Sequence, residues 1–333
     1  MTFAMADKLL GSFVWCELLT TDTAAAESFY KKVVGWTAKP FGPDGSYTVF
    51  NNSLDSGVGG VMKLPDSAKQ MGAPPHWMMY IGTPNVDETV TKIVQLGGRV
   101  HKQAEDIPTV GRFAVVQDPF GASFAVFTPK PAPGSPEPKR GGTGDFSWFE
   151  LYTPNPDGAW KFYQTLFGWE KTSAMDMGEM GVYQMFGRGG NVPNGGIMKP
   201  PPGAPASWMP YARVKDAKAS AAAATAAGGK IVRGPMEVPG GDWIAQGMDP
   251  QGAMFAVHSL KADTKATPAK KAAAPAKTAK KAPTKATARK AKKSAAKKVK
   301  ARPAKKSAKR AKPMKKKSAK KKAAKKKAAK RKK

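Results

Sequence analysis

Apolar and polar positions alternate from Ser12 to Leu19, with Phe13, Trp15, Glu17 and Leu19 on one side and Val14, Cys16 and Leu18 on the other. A period of two is that of a β-strand. The period then changes. Asp22 or Thr23 is a capping residue for a helix through AAAESFYKKVV, and Gly35 ends that helix. Short strands are expected around Tyr47 to Asn51 and Gly57 to Met62, set apart by Gly, Pro, Asn and Asp turns. The pattern resets with a strand near His76 to Ile81, a helix from Val86 to Leu96 stopped by Gly97-Gly98, and strands running to Phe127. The order is βαβββ, twice over. It implies an α+β fold with a curved, mixed and mostly antiparallel sheet.

The same pattern then occurs again. Gly11 to Trp36 reads GSFVWCELLTTDTAAAESFYKKVVGW, and Gly144 to Trp169 reads GDFSWFELYTPNPDGAWKFYQTLFGW. Trp15, Glu17, Phe29, Tyr30, Gly35 and Trp36 recur as Trp148, Glu150, Phe162, Tyr163, Gly168 and Trp169. Gly59-Gly60 returns as Gly195-Gly196, Trp77-Met78 as Trp208-Met209, Gly97-Gly98 as Gly228-Gly229, and Asp118-Pro119 as Asp249-Pro250. Matches that keep one order indicate a duplicated domain. The expected division is a lead at 1–8, a first domain at 9–130, a Pro/Gly-rich linker at 131–143, a second domain at 144–260 and a basic segment at 261–333.

Charge separates the last of these from the rest. Residues 261–333 hold 34 Lys and Arg against one acid, Asp263, out of 56 basic and 24 acidic residues in the chain. The remainder therefore carries 22 basic and 23 acidic residues and is close to neutral. The basic segment has only Val299 and Met314 as apolar residues larger than alanine, too few to offset the entropy of ordering, so it is expected to be disordered. One cysteine, Cys16, excludes an intramolecular disulfide and is expected to be a small core residue. No basic start followed by an apolar run marks a secretory signal, and no apolar stretch approaches the roughly 20 residues needed to cross a bilayer. The expected place is the cytoplasm.

The FY…GW helix end, the glycine pair after the second helix, and DPFGASFAVF or DPQGAMFAVH before the last strand resemble the vicinal oxygen chelate superfamily, which includes glyoxalase, bleomycin-resistance and extradiol-dioxygenase proteins. The resemblance spans roughly residues 9 to 260 as two tandem domains. It implies a divalent metal in each cleft, held by His, Gln or Glu from the first and last strands of each half. Those positions fall on Trp15, Ala125 and Met78, near Gly60 and Val61, and in the second copy on Trp148, Ala256 and Met209, near Gly196 and Ile197. None is a usual ligand, so no metal or other cofactor is expected. A displaced site using His76 and Glu17 remains a lesser alternative.

Alternation places Glu17 and Glu150 on the faces that carry Trp15 and Trp148. A carboxylate beside tryptophan either works as an acid or base or accepts a hydrogen bond from a Tyr, a Trp or the backbone. Glu17, Glu150 and His76 are therefore the catalytic candidates. Tyr47, Met78, Arg112, Tyr183, Trp208 and Trp243 join Trp15, Trp148, Glu17, Glu150 and His76 as candidate cleft walls. Their aromatic bias suits a flat organic ligand, or else the tryptophans fill the space a metal and substrate would take.

The basic segment resembles the tails of linker histones. It contains no aromatic residue for stacking on bases and no apolar face for a membrane surface. Sequence-independent neutralisation of phosphates remains. Lys292, Lys293, Lys297, Lys298, Lys305, Lys306, Lys315, Lys316, Lys317, Lys325, Lys326 and Lys327 are representative DNA-contact candidates, and RNA or polyphosphate offers the same chemistry. The expected function is a metal-free, glyoxalase-like binding protein for a small hydrophobic or aromatic molecule, or for a partner protein, held on nucleoid DNA. Two alternatives stay open. One is an enzyme: a metal-dependent lyase or dioxygenase with displaced ligands, or a metal-free isomerase using Glu17 and Glu150. The other is a purely architectural nucleoid protein.

Overall fold

The computed structural model describes residues 8–42, 45–131, 134 and 137–265. The DNA-contact candidates from Lys292 to Lys327 lie outside the described residues.

The first domain runs β1 (Phe13–Thr20), α1 (Thr23–Val33), β2 (Thr37–Phe41), β3 (Tyr47–Asn51), β4 (Gly57–Lys63), a short α2 (Asp66–Gln70), β5 (His76–Gly82), α3 (Val86–Gln95), β6 (Arg99–Ile107), β7 (Gly111–Gln117) and β8 (Ser123–Pro129). The second repeats it as β9 (Phe146–Tyr152), α4 (Pro156–Phe167), β10 (Glu170–Asp176), β11 (Val182–Gly187), β12 (Pro193–Met198), β13 (Ser207–Arg213), α5 (Ala217–Ala226), β14 (Lys230–Glu237), β15 (Trp243–Met248) and β16 (Met254–Ser259). A last short helix, α6 (Lys261–Lys265), follows. Each domain forms one eight-stranded sheet, in the order β2-β3-β4-β1-β5-β8-β7-β6 and β10-β11-β12-β9-β13-β16-β15-β14. In the first sheet β1 pairs parallel with β4 and antiparallel with β5, and β5 pairs parallel with β8. The remaining pairs are antiparallel. The mixed, mostly antiparallel sheet is the one expected.

Local chemistry sets the helix ends. The Asp22 carboxylate accepts from the Ala25 amide and is the cap of α1. Asn155 does the same for α4 through the Gly158 amide. That helix stops at Gly168, whose left-handed backbone (φ 68°) suits glycine. The exposed edge strand β2 has no apolar alternation, which is why its position is not legible in the sequence.

One expected face is corrected. Phe13 does not share the side of Trp15, because the pairing of β1 with β5 slips between Phe13 and Trp15. Such a bulge inserts one residue, here Val14, and reverses the side-chain parity before it. The same slip precedes Trp148 in β9.

The redirected Phe13 stacks on Phe149 of the other domain, ring centroids 3.7 Å apart and 6° from parallel. The two domains share one continuous core on the helix-covered faces of their sheets. The recurrent motif residues build this contact reciprocally. Tyr30 donates to Asp249 at 3.1 Å, and Tyr163 donates to Asp118 at 3.0 Å. Trp77 donates to the Tyr30 hydroxyl and Trp208 to the Tyr163 hydroxyl, at 3.1 and 3.0 Å. The Trp36 and Trp169 indoles donate across the boundary to the carbonyls of Gly144 and Gly11. Burial of a large apolar side chain contributes about 1.5–3 kcal/mol, so aromatics shared in this way bind the domains strongly.

Candidate functional site

Each sheet has a second face, turned away from the long helices, with its own cluster. In the first domain Leu19, Leu64, Met78, Tyr80, Phe113 and Ala125 are buried there, with Trp15, Met62 and Ala68 of α2 against them. In the second, Tyr152, Tyr183, Met198, Met209, Tyr211 and Ala256 are buried, with Trp148, Met175, Met177, Met180 and Met185 around them.

A carboxylate lies in the middle of each face. Glu17 stands opposite Gly60 of β4 and Met78 of β5. Its Oε2 accepts from the Tyr80 hydroxyl at 2.9 Å, and the Trp15 indole donates to the Tyr47 hydroxyl at 2.8 Å. Glu150 repeats this with more partners. Its Oε2 accepts from Tyr183 and Tyr211, both at 3.1 Å, and Trp148 donates to Tyr183 at 2.7 Å. Gln246 adds a long amide contact to Glu150 Oε1 (3.4 Å), one to Tyr152 (3.1 Å) and a close one to Tyr211. Burial pushes both carboxyl groups above their ordinary range, and hydrogen bonds from the tyrosines partly offset it. The tyrosine hydroxyls beside them are raised as well, first by burial and then by the neighbouring carboxylate.

Glycine is required where the tyrosine crosses the sheet. A Cβ on Gly60 would lie 2.1 Å from the Tyr47 hydroxyl oxygen, and one on Gly196 would lie 2.1 Å from Tyr183 Cζ. The ring occupies the space a side chain would take, and its hydroxyl is thereby brought to the carboxylate.

The structure gathers Trp15, Glu17, Tyr47 and Met78 on one face, and Trp148, Glu150 and Tyr183 on its counterpart. His76 stands at the start of β5, opposite Leu19, with Nδ1 donating to the Pro74 carbonyl at 2.7 Å. Burial lowers its pKa, partly offset by that bond. Three cleft candidates lie elsewhere. Trp208 is in the interdomain core, because strand parity sends it to the side opposite Met209. Arg112 sits in a fork between Asp87 of α3 and Asp106. Trp243, at the equivalent place in the second domain, lies under the Lys218 ammonium at 3.5 Å. Tyr80, Tyr152, Tyr211 and Gln246 were not singled out by sequence. Tyr80 and Tyr152 stand two residues beyond Met78 and Glu150, so alternation alone would have found them.

The positions implied for a metal carry indole, thioether, methyl and hydrogen: Trp15, Met78, Ala125 and Gly60, and Trp148, Met209, Ala256 and Gly196. These are not donors for a hard or borderline divalent ion. Each face has one buried carboxylate at its centre, already engaged by tyrosine. Among the described residues no three His, Cys, Asp or Glu side chains converge. The donor set does not fit the metal.

A profile described as the Glyoxalase/Bleomycin resistance protein/Dioxygenase superfamily matches residues 12–126 and 145–257. The chain is 36% identical over 246 residues to "Putative glyoxylase CFP32" of Mycobacterium tuberculosis, covering 73% of this chain and 92% of that one. It is 28% identical over 270 residues to "Anthracycline biosynthesis protein DnrV" of Streptomyces peucetius, covering 75% and 94%. Among solved structures, the Mn(II)-bound glyoxalase from Novosphingobium aromaticivorans is similar with a TM-score of 0.54 at 17% identity, over 75% of this chain and 82% of that one. The 2,3-dioxygenase LapB from Pseudomonas sp. KL28 is similar with a TM-score of 0.52 at 12% identity, over 75% and 93%. At such identities these two likenesses concern the fold alone.

Proposed function

The chain belongs to the Glyoxalase/Bleomycin resistance protein/Dioxygenase superfamily, and on that premise we propose that it binds a small planar aromatic molecule without a metal, chiefly in its second domain. The observation that carries this reading is the Glu150 network. One buried carboxylate, three tyrosine hydroxyls and the Gln246 amide form a polar floor inside a ring of methionines. Thioethers adapt to flat apolar surfaces, and a few fixed polar groups orient a phenol or carbonyl. The first domain replaces Tyr152 and Gln246 with Leu19 and Val115, which leaves fewer groups to orient a ligand. Kinship with a protein of anthracycline biosynthesis is consistent with a planar polycyclic ligand.

Titrating the chelator-treated protein with a hydroxyanthraquinone, followed by tryptophan fluorescence, tests this. Saturable quenching that Glu150→Gln weakens at least tenfold is expected. Binding that appears only on adding Mn(II) or Fe(II) would sink the metal-free reading. One observation favours a second reading, metal-free proton transfer: burial raises the Glu150 pKa toward that of a working acid or base. Exchange of a ligand C–H with deuterated solvent, lost in Glu150→Gln, would distinguish catalysis from binding.

We further propose that the basic segment holds the protein on DNA, and thus on the nucleoid, by neutralising phosphates regardless of sequence. If it neutralises even 10 phosphates, affinity falls with about the ninth power of salt concentration. Removing residues 266–333, which leaves α6 in place, should abolish duplex retardation at moderate salt. Equal retardation by the truncated protein would refute this assignment.

A further inference from the structure

A separate groove of about 360 Å³ opens where the two domains meet. Phe13, Val14, Trp15, Val58, Phe146 and Phe149 give it apolar walls, and Arg140, Arg213 and Ser147 add polar groups. It lies on the bulged start of β1 and β9; it shares Trp15 with the Glu17 face, but neither Glu17 nor Glu150 lines it.

Ser147 is the extra residue of the β9 bulge, since Trp148 pairs with Tyr211 and Phe146 with Ala212. Bulges commonly re-aim a side chain. Here the Ser147 hydroxyl oxygen is 2.9 Å from Nδ1 of His258 on β16. The other ring nitrogen, Nε2, is 3.1 Å from Oδ2 of Asp242. Asp242 is itself held, because its Oδ1 accepts from the Lys261 backbone amide at 2.8 Å. A carboxylate accepting from Nε2–H fixes the tautomer in which Nδ1 has a free lone pair, and that lone pair faces the serine hydroxyl. Nucleophile, base and orienting carboxylate thus stand in the required order with hydrogen-bond spacing at both joints.

The arrangement departs from the duplication at all three places. Register equates Ser147, Asp242 and His258 with Val14, Gly111 and Phe127 of the first domain. Neither a hydroxyl, a carboxylate nor an imidazole is needed at these positions for the fold.

We propose that Ser147, His258 and Asp242 form a second, nucleophilic site that cleaves activated carboxylic esters or thioesters whose apolar acyl group lies in the groove. Ser147 Oγ attacks the carbonyl carbon while His258 Nδ1 takes its proton. The bond to the leaving oxygen or sulfur breaks, and His258 returns the proton to that atom. Water then attacks the acyl-serine with His258 again as base, releasing the acid and restoring the hydroxyl. Arg140 is the donor available to the carbonyl oxygen. Among the described residues its guanidinium meets the Gly57 carbonyl at 3.3 Å and Asp145 at 3.8 Å. Asp242 is a positioning residue.

The test treats the full-length protein with a fluorophosphonate probe and reads adducts by intact mass and peptide mapping. The expected result is one adduct, on Ser147, absent from Ser147→Ala. A general base contributes about 10²–10⁴-fold, so His258→Gln should slow labelling by about 100-fold or more. Asp242→Asn should slow it less and shift its pH profile, which a merely structural role would leave unmoved. Ser147→Cys, with the fold checked by circular dichroism, should become alkylated by iodoacetamide at a His258-dependent rate. No adduct on the folded protein at millimolar probe, an adduct elsewhere, or labelling indifferent to His258 would overturn the proposal.

Discussion

The Tyr30 hydroxyl donates to the Asp249 carboxylate across the domain boundary at 3.1 Å, and the Tyr163–Asp118 bond at 3.0 Å is its mirror image. Each aspartate also accepts amides of its own turn, Gln251 and Ala253 for Asp249, Phe120 and Ala122 for Asp118. One carboxylate therefore ties a tight turn in one domain to a helix in the other. Tyr30→Phe leaves a buried carboxylate oxygen and the Trp77 indole short of a partner. A loss of about 1–3 kcal/mol is expected from a buried group left unsatisfied. A double-mutant cycle of Tyr30→Phe with Asp249→Ala, read by urea unfolding, should show coupling of about 0.5–3 kcal/mol. Strict additivity would mean the contact does not hold the domains together.

Buried Glu17 and Glu150 give stability a definite pH sign. Burial raises their folded pKa above the ordinary 4.5, so the folded state binds protons more tightly than the unfolded one in the window above that value. Their contribution is most favourable below the ordinary value and is lost as pH rises through the raised one. Unfolding midpoints measured from pH 4.5 upward should therefore show a decline that Glu17→Gln and Glu150→Gln each reduce. An unchanged slope in the double variant would contradict the burial argument.

The alternating first strand, the capped helix and the doubled βαβββ order were legible because each is a local pattern. The motif residues Tyr30, Trp36, Trp77 and Asp118 were legible as repeats, but their work was not. Tyr30, Trp36 and Asp118 have partners 45 to 219 positions away in the other domain, and Trp77 reaches Tyr30, 47 positions away in its own. Parity located Trp15, Glu17 and their counterparts, yet the bulge at Val14 reversed Phe13, since an inserted residue leaves no trace in a period-two pattern. Gln246 and the Ser147–His258–Asp242 array depend on which strands are neighbours, and alternation carries no such information.

Gly196 is where the Glu150 network is most easily broken. A Cβ there would lie 2.1 Å from Tyr183 Cζ, and the ring, buried at 8% exposure, has little room to retreat. Gly196→Ala should displace the Tyr183 hydroxyl from Glu150 and cost about 1–3 kcal/mol, the range for overpacking a filled core. Tyr183→Ala removes the clashing ring, so the double variant should be less destabilised than the sum of the singles. Near-UV circular dichroism and urea midpoints read both effects, and simple additivity would show that the ring does not require the glycine.

Asp263 is the single acid among residues 261–333, and it meets Arg213 of β13 through both Nε and Nη2, the shortest contact being 2.9 Å. The pair is mostly shielded, at 21% and 25% side-chain exposure, while Arg213 Nη1 donates to the Gly141 carbonyl. Together with the Lys261 amide on Asp242, it fastens the root of the basic segment to the second domain. An acid at this point is otherwise odd in so cationic a stretch, because it lowers the charge offered to any polyanion. Its use is mechanical. Asp263→Asn should lower stability by no more than about 1 kcal/mol, as expected of a pair near the surface, and the difference should shrink in high salt. Limited trypsin digestion should cut the α6 segment sooner in the variant, whereas DNA retardation by the full chain should be unchanged. Faster cleavage with intact retardation would separate fastening from binding. An unchanged cleavage rate would mean that the Asp242 contact alone secures the root.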